Sequence, residues 1–218
     1  MNQWITDKVM SAKVNNIKTL IFMLRNANTV IEIDIHRSEI AGLIPEVSTM
    51  FDYDQQNHAH QYDLWIHSLH SVIGLPKDID DDMVYLAMLL HDIGKPYCQT
   101  YDELDGKPNM HYYGHPEKSE QIVREKVIPR LDLSEDEKRR LLYYVRYHDD
   151  RVSLRMKHLR RHLKIGASLK EFQNLMKMEV SDAKAHVIYA GTQERIDICE
   201  KLSGDYAEEL YNKIRADK

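Results

Sequence analysis

The chain contains only 8 Gly and 6 Pro among its 218 residues. Because these two residues are the main interruptions of regular structure, long helical stretches are expected. Ile17, Leu20 and Leu24 recur at helical spacing. Residues 83–91 are almost entirely apolar, which is typical of a helix buried on most sides. The sequence therefore predicts an all-α fold.

Local signals divide the chain into helices. Further helices are predicted over residues 38–50, 63–72, 116–128, 169–190 and 195–213, with a possible break at Pro45. Ser134 and Glu137 form a capping box that opens another helix, ending near Tyr147. Residues 98–114 contain turn-forming pairs and predict a loop or a short hairpin. We expect an N-terminal helical extension over residues 1–36 and one main domain over residues 37–218.

Composition and charge limit the function classes. The net charge of -5 argues against a generic nucleic-acid binder. Cys98 and Cys199 are far apart and lack a CxxC partner, so neither a disulfide framework nor a thiolate zinc site is expected. The N-terminus has no signal-peptide pattern, and the apolar runs are too short to span a bilayer. We therefore expect a cytoplasmic protein without membrane association.

Three metal-competent side chains close an apolar helical stripe. Each follows an apolar residue by seven positions: His91 after Val84, His148 after Leu141, and Asp182 after Leu175. A carboxylate at the end of a buried stripe is costly unless a positive group compensates its charge. A divalent metal bound by histidines and aspartates would provide that compensation.

Each candidate also has a simpler interpretation. His148 alone would more often be a satisfied core histidine, and Asp182 alone a cap or an ion-pair partner. His115, followed by proline, could simply begin a helix, and His91-Asp92 could form a hydrogen bond at a helix end. His67 lies on a face with small residues, which suits either a cavity wall or a half-exposed surface. The coincidence of several such residues favours a metal centre over any single explanation.

Several motifs resemble a known family. The matching stretches are LIPEV at 43–47, HQYDLWIHSLHSV at 60–72, LAMLLHDIGKP at 86–96, HYYGHPEKSEQI at 111–122 and VRYHDDR at 145–151. With MEVSDAKAH at 178–186, they resemble the HD-domain metal-dependent phosphohydrolases. The resemblance is strongest to the HD domain of bacterial CCA-adding tRNA nucleotidyltransferases and spans roughly residues 37–190.

The resemblance implies a helical bundle with a metal site between core helices. It implies that the first metal is bound by His67, His91, Asp92 and Asp182. A second ion would be held by His115 and His148, with Asp92 as a bridge, and Asp149 would add a ligand or orient His148. The ions would be one or two of Mn, Fe, Ni, Co or Zn.

The expected reaction is hydrolysis of a nucleotide-like phosphomonoester or a (2′,3′-cyclic) phosphodiester by metal-activated water. Asp92 or Asp182 is expected to orient the nucleophile, Lys95 to hold a phosphate oxygen or the leaving group, and Lys118 and Arg146 to hold the phosphate. Lys95 could also be a solvated lysine near a helix end. No Gly-Ser with paired carboxylates is present, so CCA addition is not expected, and the GYP motif of cyclic di-GMP phosphodiesterases is absent.

Other functions remain open at this point. One alternative is a non-catalytic metal- or nucleotide-binding module acting as a sensor or an RNA-associated partner, and another is a helical interaction protein with incidental histidines. Residues 151–164 are basic and are interpreted first as a solvated helix face, second as a surface for nucleotide phosphates or RNA. His158 and His162 have zinc-ligand spacing, but no third ligand is expected nearby. The oligomeric state is not indicated.

Overall fold

The computed structural model describes residues 13–104 and 107–217. These residues form an all-α bundle with one small hairpin, as predicted. The α-helices are α1 Ile17–Asn26, α2 Val30–Asp34, α3 Arg37–Leu43, α4 Leu64–Ile73, α5 Asp82–Leu90, α6 His115–Ile122, α7 Glu135–Tyr147, α8 Met156–Lys164, α9 Leu169–Lys184, α10 Ala190–Leu202 and α11 Asp205–Ala216. Short 3-10 helices cover Pro45–Met50, Lys95–Tyr97 and Ile128–Arg130, and a π-helical turn, Val123–Val127, extends α6.

The apolar helix α5 lies at the centre of the bundle. Helices α1, α4, α7 and α9 pack around it. Every residue of α5 after Asp82 is buried, which confirms the predicted helix that is covered on all sides. The end of α5 therefore places His91 and Asp92 inside the molecule rather than at its surface.

The hairpin lies between α5 and α6. Strand β1 (Thr100–Leu104) pairs antiparallel with β2 (Lys107–His111), with Thr100 opposite His111. This resolves the predicted loop or hairpin in favour of the hairpin. It returns the chain to Tyr112 and Gly114, which lead directly into α6.

The predicted caps form as expected. Ser134 accepts a hydrogen bond from the Glu137 amide while Glu137 bonds back to the Ser134 amide. Ser168 and Glu171 make the same capping box at the start of α9. Such caps typically contribute about 1 kcal/mol each, and they fix where the helices begin relative to the core.

The helix predicted over 38–50 breaks at Pro45 as expected: it stops at Leu43, because Ile44 precedes the proline and leaves the helical region, and a 3-10 helix follows. Other predicted helix ends differ from the structure. The helix predicted over 169–190 stops at Lys184, where the chain turns and the Val187 amide bonds the Ala59 carbonyl at 3.0 Å. The helix predicted over 195–213 is two helices, separated at Gly204.

The N-terminal part of the described chain joins the same core as the rest. Leu20, Met23 and Leu24 of α1 are fully buried, and α1 packs against α4 and α5. The division of the chain at residue 36 stays a prediction, and residues 1–12 of the expected extension lie outside the described residues. Within the described residues, no helix combines the length and the apolar character needed to cross a bilayer.

Candidate metal centre

Histidine and aspartate side chains from five parts of the chain meet beside the end of α5. They are His67 in the middle of α4, His91 and Asp92 directly after α5, His115 at the start of α6, His148 directly after α7, and Asp182 near the end of α9. All are buried except Asp182, whose side chain is 15% exposed. The structure thus brings together the six residues assigned to the first and second ion in the sequence analysis.

Asp92 lies between two pairs of histidines. Its Oδ2 is 3.2 Å from His91 Nε2 and 3.6 Å from His67 Nε2. Its Oδ1 is 3.1 Å from His115 Nε2 and 3.4 Å from His148 Nε2. The two oxygens of one carboxylate therefore face two different sets of nitrogen ligands, which is the arrangement required to bridge two ions.

Asp182 completes the first of these two sets. Its Oδ1 lies 2.9 Å from His67 Nε2 and 3.3 Å from His91 Nε2. The first set, His67, His91, Asp92 and Asp182, has all its ligand atoms within 4.8 Å of one another, and so does the second set of Asp92, His115 and His148. Nitrogen and carboxylate donors at this spacing suit divalent transition metals.

The backbone fixes the tautomer of three of the histidines. Each has its Nδ1 within 2.7 to 2.8 Å of the backbone carbonyl three residues earlier: His91, His115 and His148. A carbonyl only accepts, so Nδ1 must carry the proton, and Nε2 of the neutral ring presents a lone pair. The Nε2 atoms of His115 and His148 are 3.1 Å apart, so in the neutral rings two lone pairs face each other, and a proton or a metal cation shared between them is favourable.

His91 shows that a metal fits this site. Its Nε2 is buried and makes no hydrogen bond of normal geometry within the described structure, although two carboxylate oxygens lie within 3.3 Å. Burial would lower the pKa of His91, but Asp92 and Asp182 raise it to about 10. The same negative field that favours a proton at this nitrogen favours a divalent cation in its place.

Both carboxylates are held in the ionised form that metal ligands need. Burial alone would raise the pKa of Asp92, but His91, Lys95 and hydrogen bonds from other histidines hold it well below its usual range. The pKa of Asp182 is likewise well below its usual range, because His186, His67 and His91 outweigh its burial. The aspartates need not lose a proton before they bind a cation.

The site opens into a cavity of about 530 Å³ that is large enough for a small ligand. Lys95 lies in its wall and is 5% exposed, with Nζ 2.6 Å from Asp92 Oδ2 and 3.0 Å from Gln55 Oε1. The hairpin side of the cavity carries His111 and Tyr113, whose rings are stacked with centroids 5.2 Å apart. The cavity is therefore lined by charged side chains at the metal centre and by aromatic rings on the hairpin side.

Three predicted residues are placed differently from what the sequence analysis expected. Lys118 bonds Gln121 at 3.1 Å, and Arg146 pairs with Glu117 at 2.7 Å. Neither is among the described residues that line the cavity. Asp149 does line it but pairs with Arg195, so it does not orient His148, whose Nδ1 is held by its own helix.

Arg195 is a cavity residue that the sequence analysis missed. It reaches from α10 and bonds Glu179 Oε2 at 2.8 Å and Asp149 Oδ1 at 2.8 Å. Glu179 is fully buried in α9, and this burial raises its pKa to about 8 although Arg195 opposes the shift. A signal was present, because Glu179 follows Leu175 by four positions on the buried face, and a buried acid predicts a basic partner.

Two further histidines lie in the cavity wall. His186 is half-buried there, with its ring 4.6 Å from that of His67. His60 lies 4.5 Å from the His186 ring. Elsewhere, ligand atoms of Asp150, His158 and His162 lie within 4.8 Å of one another, so a third ligand, which was not expected near that pair, is present.

Comparison with known proteins places these residues in a family context. A family model of the HD domain matches residues 58–201, which is well over half of the chain. The matched segment contains every histidine and aspartate of the two ligand sets described above. A search of curated proteins finds no match to this chain.

Proposed function

The chain belongs to the HD-domain family, and from this premise we propose that it is a metal-dependent phosphohydrolase. Its proposed substrate is a nucleotide-like phosphomonoester or a (2′,3′-cyclic) phosphodiester. One observation supports this more than any other: the two oxygens of Asp92 face separate pairs of histidine nitrogens. A purely structural aspartate does not require four buried histidine nitrogens directed at its two oxygens.

The proposed ligands divide into two groups around Asp92. His67, His91 and Asp182 would complete the first ion's site, and His115 and His148 the second's. When bound, the divalent metal supplies Lewis acidity that activates water and neutralises charge on the phosphoryl oxygens. The ion is one of Mn, Fe, Ni, Co or Zn, since imidazole and carboxylate ligands suit all of them.

Two cations of the chain are suited to hold the phosphate. Lys95 and Arg195 both line the cavity and reach it from different elements. Arg195 is fixed by Glu179 and Asp149, so its guanidinium is preorganised rather than mobile. The Lys95 ammonium contacts Asp92 Oδ2, the oxygen that faces the first ligand group. It would therefore compensate the charge of this carboxylate and lie close to a phosphate bound at the metals.

Two features support a nucleotide-like ester over a phosphate ester without a base. The sequence resembles the HD domain of bacterial CCA-adding tRNA nucleotidyltransferases, whose chemistry concerns nucleotides. The cavity carries the stacked His111 and Tyr113, and Tyr113 is 74% exposed. Flat exposed aromatic rings are suitable platforms for a nucleobase.

A substrate screen tests this function. Metal-free protein would be loaded separately with Mn, Ni, Co and Fe and assayed against 2′,3′-cyclic nucleotides, nucleoside monophosphates and a nitrophenyl phosphodiester. We expect hydrolysis with at least one metal and a loss of about 100-fold or more in Asp92→Ala, because both ions lose a shared ligand. Asp132→Ala, a change of the same kind at an exposed position, serves as the control.

The alternative, a non-catalytic binding module, makes a different prediction. Such a module would bind metal and nucleotide but hydrolyse none of these substrates with any metal. Activity that survives Asp92→Ala unchanged would contradict the proposed mechanism. Protein purified without chelator that contains less than about one tightly bound transition metal per chain would argue for incidental histidines instead.

A further inference from the structure

A second cavity lies at the start of α8, separate in its lining residues from the metal centre. Its volume is about 520 Å³. Four cationic side chains line it: Arg151, Arg155, Lys157 and Arg161. None of the described residues in its lining is acidic. Cations that share one cavity repel one another, so an anionic ligand there would be favourable.

His158 gives this cavity a buried polar group. The residue is 5% exposed, it lines the cavity, and neither ring nitrogen makes a hydrogen bond of normal geometry within the described structure. Burial lowers its pKa to about 4, although the nearby Ser153 backbone favours the protonated ring. At neutral pH the ring therefore has one N–H donor, and a buried donor whose contacts fall short of normal hydrogen-bond geometry gains from a better acceptor.

The backbone at the start of α8 adds to the same preference. Arg155 is the N-cap residue, and its side chain makes no capping hydrogen bond. The first amides of a helix lack intrahelical acceptors and carry the positive end of the helix dipole. This nine-residue helix thus presents amide donors at the cavity that also holds the cationic side chains.

A metal is the less favourable occupant here. Asp150, His158 and His162 are close enough to hold a cation. However, the Asp150 carboxylate is already paired with Arg161, and His162 Nδ1 lies 3.0 Å from the Tyr143 hydroxyl. A divalent cation would also have to enter beside four positive side chains, which opposes its binding.

We propose that this pocket binds the phosphate groups of a compact, multiply charged ligand, a di- or triphosphate. Arg151, Arg155 and Lys157 would pair with phosphate oxygens, and His158 would donate a hydrogen bond to one of them. The chain runs from His148 through Asp149 and Asp150 directly to Arg151. A ligand in the pocket therefore contacts the segment that immediately follows a residue of the metal centre.

Binding can be measured without any catalytic assay. Full-length protein in EDTA would be titrated calorimetrically with inorganic triphosphate, with ATP and with a short single-stranded RNA. We expect triphosphate and ATP to bind, and the affinity to fall by about tenfold or more in the double variant Arg155→Gln/Lys157→Gln. Lys164→Gln/Lys170→Gln removes the same charge from exposed positions outside the pocket and should change the affinity by less than about twofold.

His158→Phe tests the contribution of the buried ring, and it should weaken triphosphate binding in protein that retains its helical circular dichroism. Equal affinity in wild type and Arg155→Gln/Lys157→Gln would overturn the proposal, and so would equal losses in the two double variants. Binding of RNA but not of triphosphate or ATP would also overturn it, because an extended backbone would then be the ligand. Stoichiometric Zn²⁺ binding that His158→Phe abolishes, without triphosphate binding, would assign the pocket to a metal instead.

Discussion

His115 and His148 determine whether the centre can hold a second ion. Both direct Nε2 at Asp92 Oδ1, at 3.1 and 3.4 Å, and neither contributes to the group around Asp182. In His115→Gln, an amide replaces a ring nitrogen that the backbone had aligned, so the second ion should be lost while the first remains. We expect bound metal to fall from about two ions to about one, and turnover to fall by about 100-fold.

Atomic emission measurement of dialysed protein would check this stoichiometry. His70→Gln makes the same exchange on α4, where His70 stacks on Tyr62 outside both ligand groups, and it should leave the metal content unchanged. Two ions retained in His115→Gln would show that the histidine pair is not a ligand set.

Arg195 and Arg146 provide a matched pair for locating the phosphate contact. Arg195 lies in the cavity wall, whereas Arg146 is paired with Glu117 and is absent from the described lining. Arg195→Gln should lower kcat/KM by about 10- to 100-fold, because a fixed, charge-assisted contact to the phosphoryl group is lost. Arg146→Gln should change it by about twofold or less.

Steady-state kinetics on the substrate found by screening would measure both effects. A larger loss of kcat/KM in Arg146→Gln than in Arg195→Gln would instead assign the phosphate contact to Arg146, as the sequence suggested.

The helical spacing of apolar residues was enough to predict that some polar side chains face the interior. His91, His148 and Asp182 each end an apolar stripe, and all three are found at the centre. The position of Arg195 in the cavity could not be predicted from spacing within one helix, because it depends on how α10 packs against α9. Phase within one helix describes a face but does not identify the element that the face contacts.

At the scale of elements, the segment that follows α5 lies very close to α6, and this close approach depends on one glycine. A Cβ on Gly94 would lie 2.6 Å from the Ser119 amide nitrogen and 2.7 Å from the His115 carbonyl oxygen. Both neighbours are backbone and cannot rotate away. Gly94→Ala should therefore lower the free energy of unfolding by about 1–3 kcal/mol and displace His115 from Asp92.

Gly42 in α3 is the matched control, because no atom lies within 4 Å of a Cβ added there. Gly42→Ala should raise the free energy of unfolding by about 0.4–1 kcal/mol, since alanine restricts the unfolded chain. Urea unfolding of both variants measures the difference. Equal stability of Gly94→Ala and wild type would mean that α6 shifts at no cost.

Helix starts were more predictable than helix ends. The capping box at Ser134 is a local pattern, and the structure confirms it. The end of α9 depends on a contact with Ala59, which is more than a hundred positions away and is invisible to a local pattern. Helix α8 was not separated from its basic loop, because its few apolar residues lie among many charges.

At the scale of the whole molecule, the all-α fold was predictable because it follows from patterns distributed over the entire chain. The cationic cavity beside α8 was not, because it depends on how α8 packs against α9 and the segment after α7. His158 and His162 are buried there, at 5% and 0% exposure, with Phe172 of α9 against both rings. Their burial couples global stability to pH.

Burial lowers the pKa of His158 and of His162 to about 4 in the folded protein. In the unfolded chain their pKa is about 6.5. Between these two values the unfolded chain binds more protons than the folded protein, so stability is complete above about pH 6.5 and decreases as the pH falls towards 4. At the acidic end of this window, the pKa shift corresponds to a loss of about 3 kcal/mol in the free energy of unfolding for each ring. The groups that face His162 are Tyr143, Asp150 and Arg161.

Urea unfolding of metal-free protein at several pH values from about 4.5 to 7, in a buffer without phosphate, checks this coupling. Since Phe cannot be protonated, the stability of His158→Phe relative to wild type should improve by about 2–3 kcal/mol as the pH falls through this range. His58→Phe, at an exposed histidine, should run parallel to wild type. A His158→Phe curve that also runs parallel would show that His158 takes up protons equally well in the folded and unfolded states.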